Sequence, residues 1–221
     1  MERIIFVDKP SGMSSFGAVA RVRRILSEQE GHKVKVGHTG TLDPFATGLL
    51  ILLAGKATKK APELTKLDKV YEATIRLGAT SNTGDPEGEI TISDEKPTIS
   101  RERIEEVLRK FIGEIEQRPP AFSAIKVNGQ RAYKLARAGK DVEIPTRKVQ
   151  IYSIDIVEYE APFLKIRTHV GSGTYIRTLA EDIGRELGCG AYKTELRRTK
   201  IADYDIEKLP LFELPAWNGK K

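Results

Sequence analysis

Apolar and polar positions along the chain recur in two periods. Between Val70 and Leu77 they alternate: Tyr71, Ala73, Ile75 and Leu77 share one face, and Val70, Glu72, Thr74 and Arg76 the other. That period of two predicts a half-buried strand. Leu49–Leu53 is apolar throughout and of strand length, which predicts a strand buried on both faces. Ile4–Val7 and Val34–Val36 read as short strands, and Ile151–Val157 and Phe163–Val170 as neighbours joined by a turn at Ala161-Pro162. Three segments carry the helical period. In the first, Ser14 or Ser15 caps a helix bearing Phe16, Val19, Ala20, Arg23 and Leu26. Ser100 caps the second, with Ile104, Val107, Leu108, Phe111 and Ile112 before Gly113, and the third carries Ile176, Leu179, Ala180, Ile183 and Leu187 before Gly188. Strands and helices do not alternate strictly. The expected class is α+β, a mixed and mostly antiparallel central sheet flanked by helices, in a single domain over residues 1–221.

Charge sharpens this picture. Lysine and arginine number 37 against 31 acidic residues, a net +6. Residues 118–148 hold eight basic residues (Arg118, Lys126, Arg131, Lys134, Arg137, Lys140, Arg147, Lys148) and two acidic ones, Asp141 and Glu143. The whole excess therefore sits in that one segment, which favours a polyanionic partner gripped there. Tyr133 and Phe122 are candidate stacking surfaces in it. Arg131, Lys134 and Arg137 also fall at helical spacing, as on a solvated helix face, and the two readings are compatible. A single cysteine, Cys189, excludes an internal disulfide and a cysteine zinc site. No apolar run approaches the ~18 to 20 residues of a membrane span. Only four apolar residues separate Met1-Glu2-Arg3 from Asp8-Lys9, too few for a secretion signal, so the expected compartment is the cytoplasm.

Residues 37–48 read GHTGTLDPFATG. Three glycines and a proline make this a loop, and Pro44 biases Asp43 away from helical geometry. Physically it is either an ordinary Asp-Pro turn or a loop built to present Asp43. It does not end in Gly-Lys-Ser/Thr, which argues against a phosphate cradle. The string Gly37-His38-Thr39-Gly40-Thr41-Leu42-Asp43-Pro44 with Ala46-Thr47-Gly48 resembles the signature of the TruB family of pseudouridine synthases. Lys9-Pro10-Ser11-Gly12, Gly55-Lys56-Ala57-Thr58-Lys59, Lys69-Val70-Tyr71-Glu72-Ala73 and the turn with Leu77-Gly78, Thr83, Asp85 and Gly88 are similar to further motifs of that family. So are Arg118-Pro119-Pro120, Ser123–Gly129, Gly173–Ala180 and Leu196-Arg197-Arg198-Thr199. The motifs stand in family order over roughly residues 1–204.

The resemblance implies the pseudouridine synthase fold with an RNA-gripping, thumb-like insertion at about residues 118–148. It implies isomerisation of uridine 55 in the T-loop of tRNA, by base flipping and aspartate-dependent cleavage of the glycosidic bond, with no cofactor and no metal. Asp43 takes the place of the family's nucleophile, Arg177 that of the cation keeping it ionised, and Tyr71 that of the ring stacking on the flipped uracil. His38 would fill the vacated stack, Tyr175 and Leu196 would wall the pocket, and Lys9 and Lys126 would contact substrate. By their residues alone, Tyr71 and Leu196 read equally as core. The implied partner is the T-arm stem-loop of tRNA, met by a monomer without an obligatory protein partner.

Two departures stand out. Val170-Gly171-Ser172 occupies the place of a Cys-Ser-Lys common in bacterial relatives, and only 22 residues follow Thr199. A C-terminal RNA-binding domain is therefore expected to be absent. Two other readings compete: a guide-RNA-dependent synthase, and a tRNA-folding helper whose action needs no catalysis.

Overall fold

The computed structural model describes residues 1–93, 97–120, 126–127, 129–131 and 144–215. The chain divides into two units, Met1–Glu72 with Glu195–Lys221, and Ala73–Thr194.

The first unit is organised around β3 (Thr47–Gly55). β1 (Glu2–Lys9) runs antiparallel to it from Glu2 opposite Gly55 to Lys9 opposite Gly48. β2 (Val36–His38) also pairs antiparallel with β3. Arg197 and Arg198 of β12 (Ala191–Ile201) pair parallel with Thr47 and Gly48, and β13 (Tyr204–Asp205) folds back on β12. Leu49 to Ala54 are fully buried, as the unbroken apolar run predicts. Alternate residues face two cores. Leu50, Leu52 and Ala54 join Val7, Met13, Val19, Val22 and Leu26; Leu49, Ile51 and Leu53 join Ala57, Leu64, Ile201 and Ile206. A 3₁₀ turn (Lys56–Lys60) and the short helix α2 (Ala61–Thr65) supply part of the second core.

Helix α1 (Ser15–Glu30) starts at Ser14, whose hydroxyl accepts from the Gly17 amide, and stops at Gly31 in the left-handed conformation. Its buried face is Ser15, Ala18, Val19, Val22 and Leu26. Of the expected Phe16, Val19, Ala20, Arg23 and Leu26, Val19 and Leu26 are buried, but Phe16 is 65% exposed and lies under the Arg23 guanidinium. Ser15, Ala18 and Val22 complete the inward stripe. β2 likewise starts at Val36, two residues after the expected start.

In the second unit β10 (Arg147–Glu160) pairs antiparallel with β11 (Phe163–Val170) on one side and β7 (Gly113–Gln117) on the other. β4 (Lys69–Leu77), which begins in the first unit and continues into the second, buries Tyr71, Ala73, Ile75 and Leu77 as the alternation predicts. β5 (Ala79–Ser81) and β6 (Ile90–Ile92) form a small hairpin. Helix α3 (Arg101–Arg109) is capped by Ser100, and α4 (Ile176–Glu186) ends ahead of Gly188. β8 (Lys126–Val127) and β9 (Gln130–Arg131) pair within the basic segment. Lys134, Arg137, Phe122 and Tyr133 lie outside the described residues.

Gly48 shows why a glycine occupies the start of β3. Its φ is +103°, and a Cβ there would stand 2.2 Å from the Arg198 carbonyl oxygen. Gly48→Ala should therefore destabilise the protein by about 2 kcal/mol or more, because both backbone strain and the parallel β3–β12 approach are at stake. Urea unfolding at constant m-value measures it; a loss under ~0.5 kcal/mol would show that β12 can give way.

Candidate active site

The loop from His38 to Ala46 in the first unit is tied down almost residue by residue. Gly40 N donates to His38 Nδ1 at 3.3 Å. Arg198, 1% exposed, donates through Nη2 to Gly40 O at 3.1 Å and through Nε to Leu49 O at 2.7 Å. The Ser15 hydroxyl serves both sides of Leu42, donating to its carbonyl at 3.0 Å and accepting from its amide at 2.8 Å. Pro44 O accepts from Gly12 N at 2.8 Å and from Lys9 Nζ at 3.1 Å, and Ser11 Oγ donates to Phe45 O at 3.0 Å. Asp43 sits half-buried between these anchors. Its backbone carbonyl accepts from Ala46 N at 3.1 Å.

Lys9 is completely buried. Besides Pro44 O its ammonium donates to Met13 O at 2.6 Å and Pro10 O at 2.9 Å. Three carbonyls are what a lysine ammonium can satisfy, so this charge ties the Lys9–Met13 turn to the Asp43 loop. Burial brings its pKa down to about 8, with Arg198 pushing the same way and the charge of Asp43 holding it up. Lys69 follows the same plan: its ammonium donates to Thr65 O at 2.8 Å and to Leu67 O, and burial with Arg198 nearby brings it to about 8. The His38 imidazole is pushed below its ordinary pKa by burial and then by Arg198, so a neutral ring stands beside Asp43's loop. Three buried cations, Lys9, Lys69 and Arg198, thus make this part of the first unit electropositive. Tyr71 and Leu196, also of this unit, are each 8% exposed. On the solvent side Arg197 grips Asp8 with both nitrogens, at 3.0 and 2.7 Å.

Arg177 and Tyr175 belong to the second unit. Arg177, in the first turn of α4, is buried and pairs with the buried Asp85 at 3.0 Å, while its Nη1 donates to Thr83 O at 3.1 Å. Asp85 is held in turn by Thr83 Oγ1 at 2.7 Å and Glu87 N at 3.1 Å. Gly84, at φ +72°, lets the arginine stem pass: a Cβ would lie 2.6 Å from Arg177 Cγ. Glu181, one helical turn on, is pushed up by burial, against the pull of Arg177. The sequence reading named Asp85 only as part of a turn. The signal that could have found it is a buried-type turn, Thr83-Gly84-Asp85, beside an arginine at a helix start, where the helix dipole alone disfavours a cation. Tyr175 precedes α4, with the Arg147 guanidinium 5.0 Å above its ring centroid. Lys126 belongs to β8, and its side chain lies outside the described residues. Among the described residues no group of three or more His, Cys, Asp or Glu side chains could hold a metal ion, and no helix is long and apolar enough to cross a membrane.

The fold has counterparts of known structure. A chain of a Cbf5-Nop10-Gar1 complex superposes with a TM-score of 0.69 at 33% identity, over 90% of this chain and 48% of that one. A chain of an H/ACA RNP bound to a substrate RNA containing 2'-deoxyuridine does so at 0.66 and 30%, over 91% and 48%. The chain spans about half the length of these structures. The architecture is that of the pseudouridine synthases. Residues 23–176 match the TruB family pseudouridylate synthase N-terminal domain, and residues 177–218 the tRNA pseudouridylate synthase B C-terminal domain. The tRNA pseudouridine synthase B of Azoarcus sp. is 45% identical over 96% of this chain and 69% of its own length; that of Phocaeicola vulgatus is 46% identical over 97% and 92%. That of Cupriavidus pinatubonensis is 46% identical over 92% of this chain and 64% of its own length. The chain belongs to the TruB family of pseudouridylate synthases. The second match, from residue 177 onward, covers a stretch that the sequence reading counted as the end of one domain.

Two predictions follow from the buried charges. Lys9 releases its proton near pH 8 when folded and near 10.5 when unfolded, so between these values the unfolded chain holds more protons and stability rises with pH. Lys9→Met should flatten the slope of unfolding free energy against pH in that window by up to one proton; an unchanged slope would place the Lys9 pKa at its ordinary value. Asp85→Ala strands a buried guanidinium and should destabilise by about 3 kcal/mol, read by urea unfolding. A loss below ~1 kcal/mol would mean that water or Glu181 takes over the pair.

Proposed function

We propose that the chain converts uridine 55 in the T-loop of tRNA to pseudouridine, acting alone and without cofactor, with Asp43 as the nucleophilic carboxylate. The observation that carries this reading is the tethered loop: a half-buried aspartate, flanked by anchored peptides and drawn on by a buried ammonium. Fixing a reactive group before substrate arrives removes entropy from the barrier. The likeness to curated tRNA pseudouridine synthases B, 45 to 46% identical in the examples above, supports the substrate.

The reaction breaks the bond from N1 of uracil to the sugar C1′, turns the base, joins C5 to C1′, and moves a proton from C5 so that N1 ends protonated. Atoms and electrons balance within the nucleotide. Asp43 must be ionised to attack or to pair with the developing cation, and the charge of Lys9 lies close enough to interact with it. Tyr71 and Arg177 are the further catalytic groups, with Asp85 positioning Arg177. A uridine inside a folded loop must be extruded at a penalty of a few kcal/mol, and the uncharged ring of His38 suits the role of filling its place in the stack. The basic segment around Lys126 and Arg131 supplies phosphate contacts.

Incubation with unmodified tRNA, followed by tritium release from C5 of labelled uridine and mapping of the product, tests the assignment. Asp43→Asn should lower the single-turnover rate at least a thousandfold, about 4 kcal/mol of barrier, while tRNA affinity stays within a few-fold. Residual turnover above a tenth of wild type would overturn the role of Asp43. A wild-type protein that binds tRNA without forming pseudouridine would favour the folding-helper reading instead.

A further inference from the structure

Gln117, the last residue of β7, is 1% exposed and spends its whole carboxamide on one distant residue. Tyr175 N donates to its Oε1 at 2.7 Å, and its Nε2 donates to Tyr175 O at 3.0 Å. The side chain thus completes both halves of a β-type pairing with a peptide 58 positions later. Tyr175 stands at the N-cap of α4, where no side chain of the local segment caps the helix. Its carbonyl also accepts the first helical bond, from Leu179 N at 3.1 Å.

The neighbours of Gln117 act on the same short segment. Across the strand pair it faces Arg147, whose guanidinium covers the Tyr175 ring and donates to Gly173 O. Next in sequence, the Arg118 carbonyl accepts from Thr178 Oγ1 at 3.3 Å. The ends of β7 and β10 therefore hold residues 173–178 from one side, as Asp85 and Thr83 hold Arg177 from another.

We propose that Gln117 is a positioning residue for Tyr175 and Arg177. It sets the backbone of Tyr175, and with it the rotation at which α4 begins; Arg177 follows two residues later. A helix turns about 100° per residue, so a small change at its cap swings the first-turn side chain. A misplacement of ~1 Å at a reacting group can lower a rate a hundredfold. The proposal rests on the reading that Tyr175 and Arg177 serve the reaction.

Full-length Gln117→Ala, Gln117→Asn and Gln117→Glu test it against a merely structural hydrogen bond. With unmodified tRNA, Gln117→Ala should slow single turnover at least tenfold while tRNA affinity changes less than threefold. Hydrogen exchange at the Tyr175 amide should speed up at least tenfold, with that of Leu52 in β3 unchanged. Gln117→Asn keeps both groups but withdraws them by one methylene, so it should show the same loss and serves if the alanine variant does not fold. Gln117→Glu has the clearest signature. Ionised, it accepts from Tyr175 N but repels Tyr175 O; protonated, it regains a donor. Its rate relative to wild type should rise as pH falls, whereas the ratio for Gln117→Ala stays flat. Single turnover within twofold of wild type in the alanine and asparagine variants, or a loss residing wholly in affinity, would overturn the proposal. If wild type itself makes no pseudouridine, the functional reading fails; faster exchange at Tyr175 would still support the positioning role, and unchanged exchange would overturn that too.

Discussion

The buried ammonium of Lys9 has three backbone carbonyls around it, and the first unit is arranged to make that tolerable. Hydrogen bonds to a charged group contribute about 1.5 to 3 kcal/mol each, whereas an unpaired buried ammonium would be prohibitive. The charge can persist only while the Lys9–Met13 turn and the Asp43 loop both stay in place, so each loop depends on the other. Asp43 takes part in the same compromise, since its negative charge opposes the loss of the Lys9 proton. Ser15 and Arg198 extend this dependence to α1 and β12.

Much of the fold was legible in the sequence because the signals were local. β4 follows its alternation, β3 its unbroken apolar run, and Ser14 and Ser100 cap the helices that they announce. The failures come from what local patterns do not carry. β12 has charged residues through its middle, and two of them, Lys193 and Arg198, are buried; a strand whose inward positions hold cations does not look like a strand. Phe16 looked like core and is exposed, since the inward positions of α1 belong to smaller residues.

The site divides in the same way. Asp43, Tyr71, Arg177, His38, Tyr175 and Leu196 were singled out through motif resemblance, not through any property that sets them apart as isolated residues. Lys9 was named as a substrate contact, and in the structure its ammonium donates to three backbone carbonyls. Asp85 was named only within a turn, and Gln117 went unnoticed. Their roles arise from pairings across 92 and 58 positions, between an acid or amide and a target that no periodicity marks.

The Arg198–Gly40 tether has a consequence for how the protein comes into being. Its two ends lie 158 residues apart, and the parallel pairing of β12 with β3 bridges a similar interval. At ~5 to 20 residues per second, a ribosome completes Arg198 about 8 to 30 s after Gly40. Over that interval Lys9, Ser11 and Ser15 are already made and can gather the loop, but the guanidinium that closes it is not. The nascent chain therefore carries the Asp43 loop in an unfinished cradle until β12 has been synthesised, and the loop acquires its last tether long after its first.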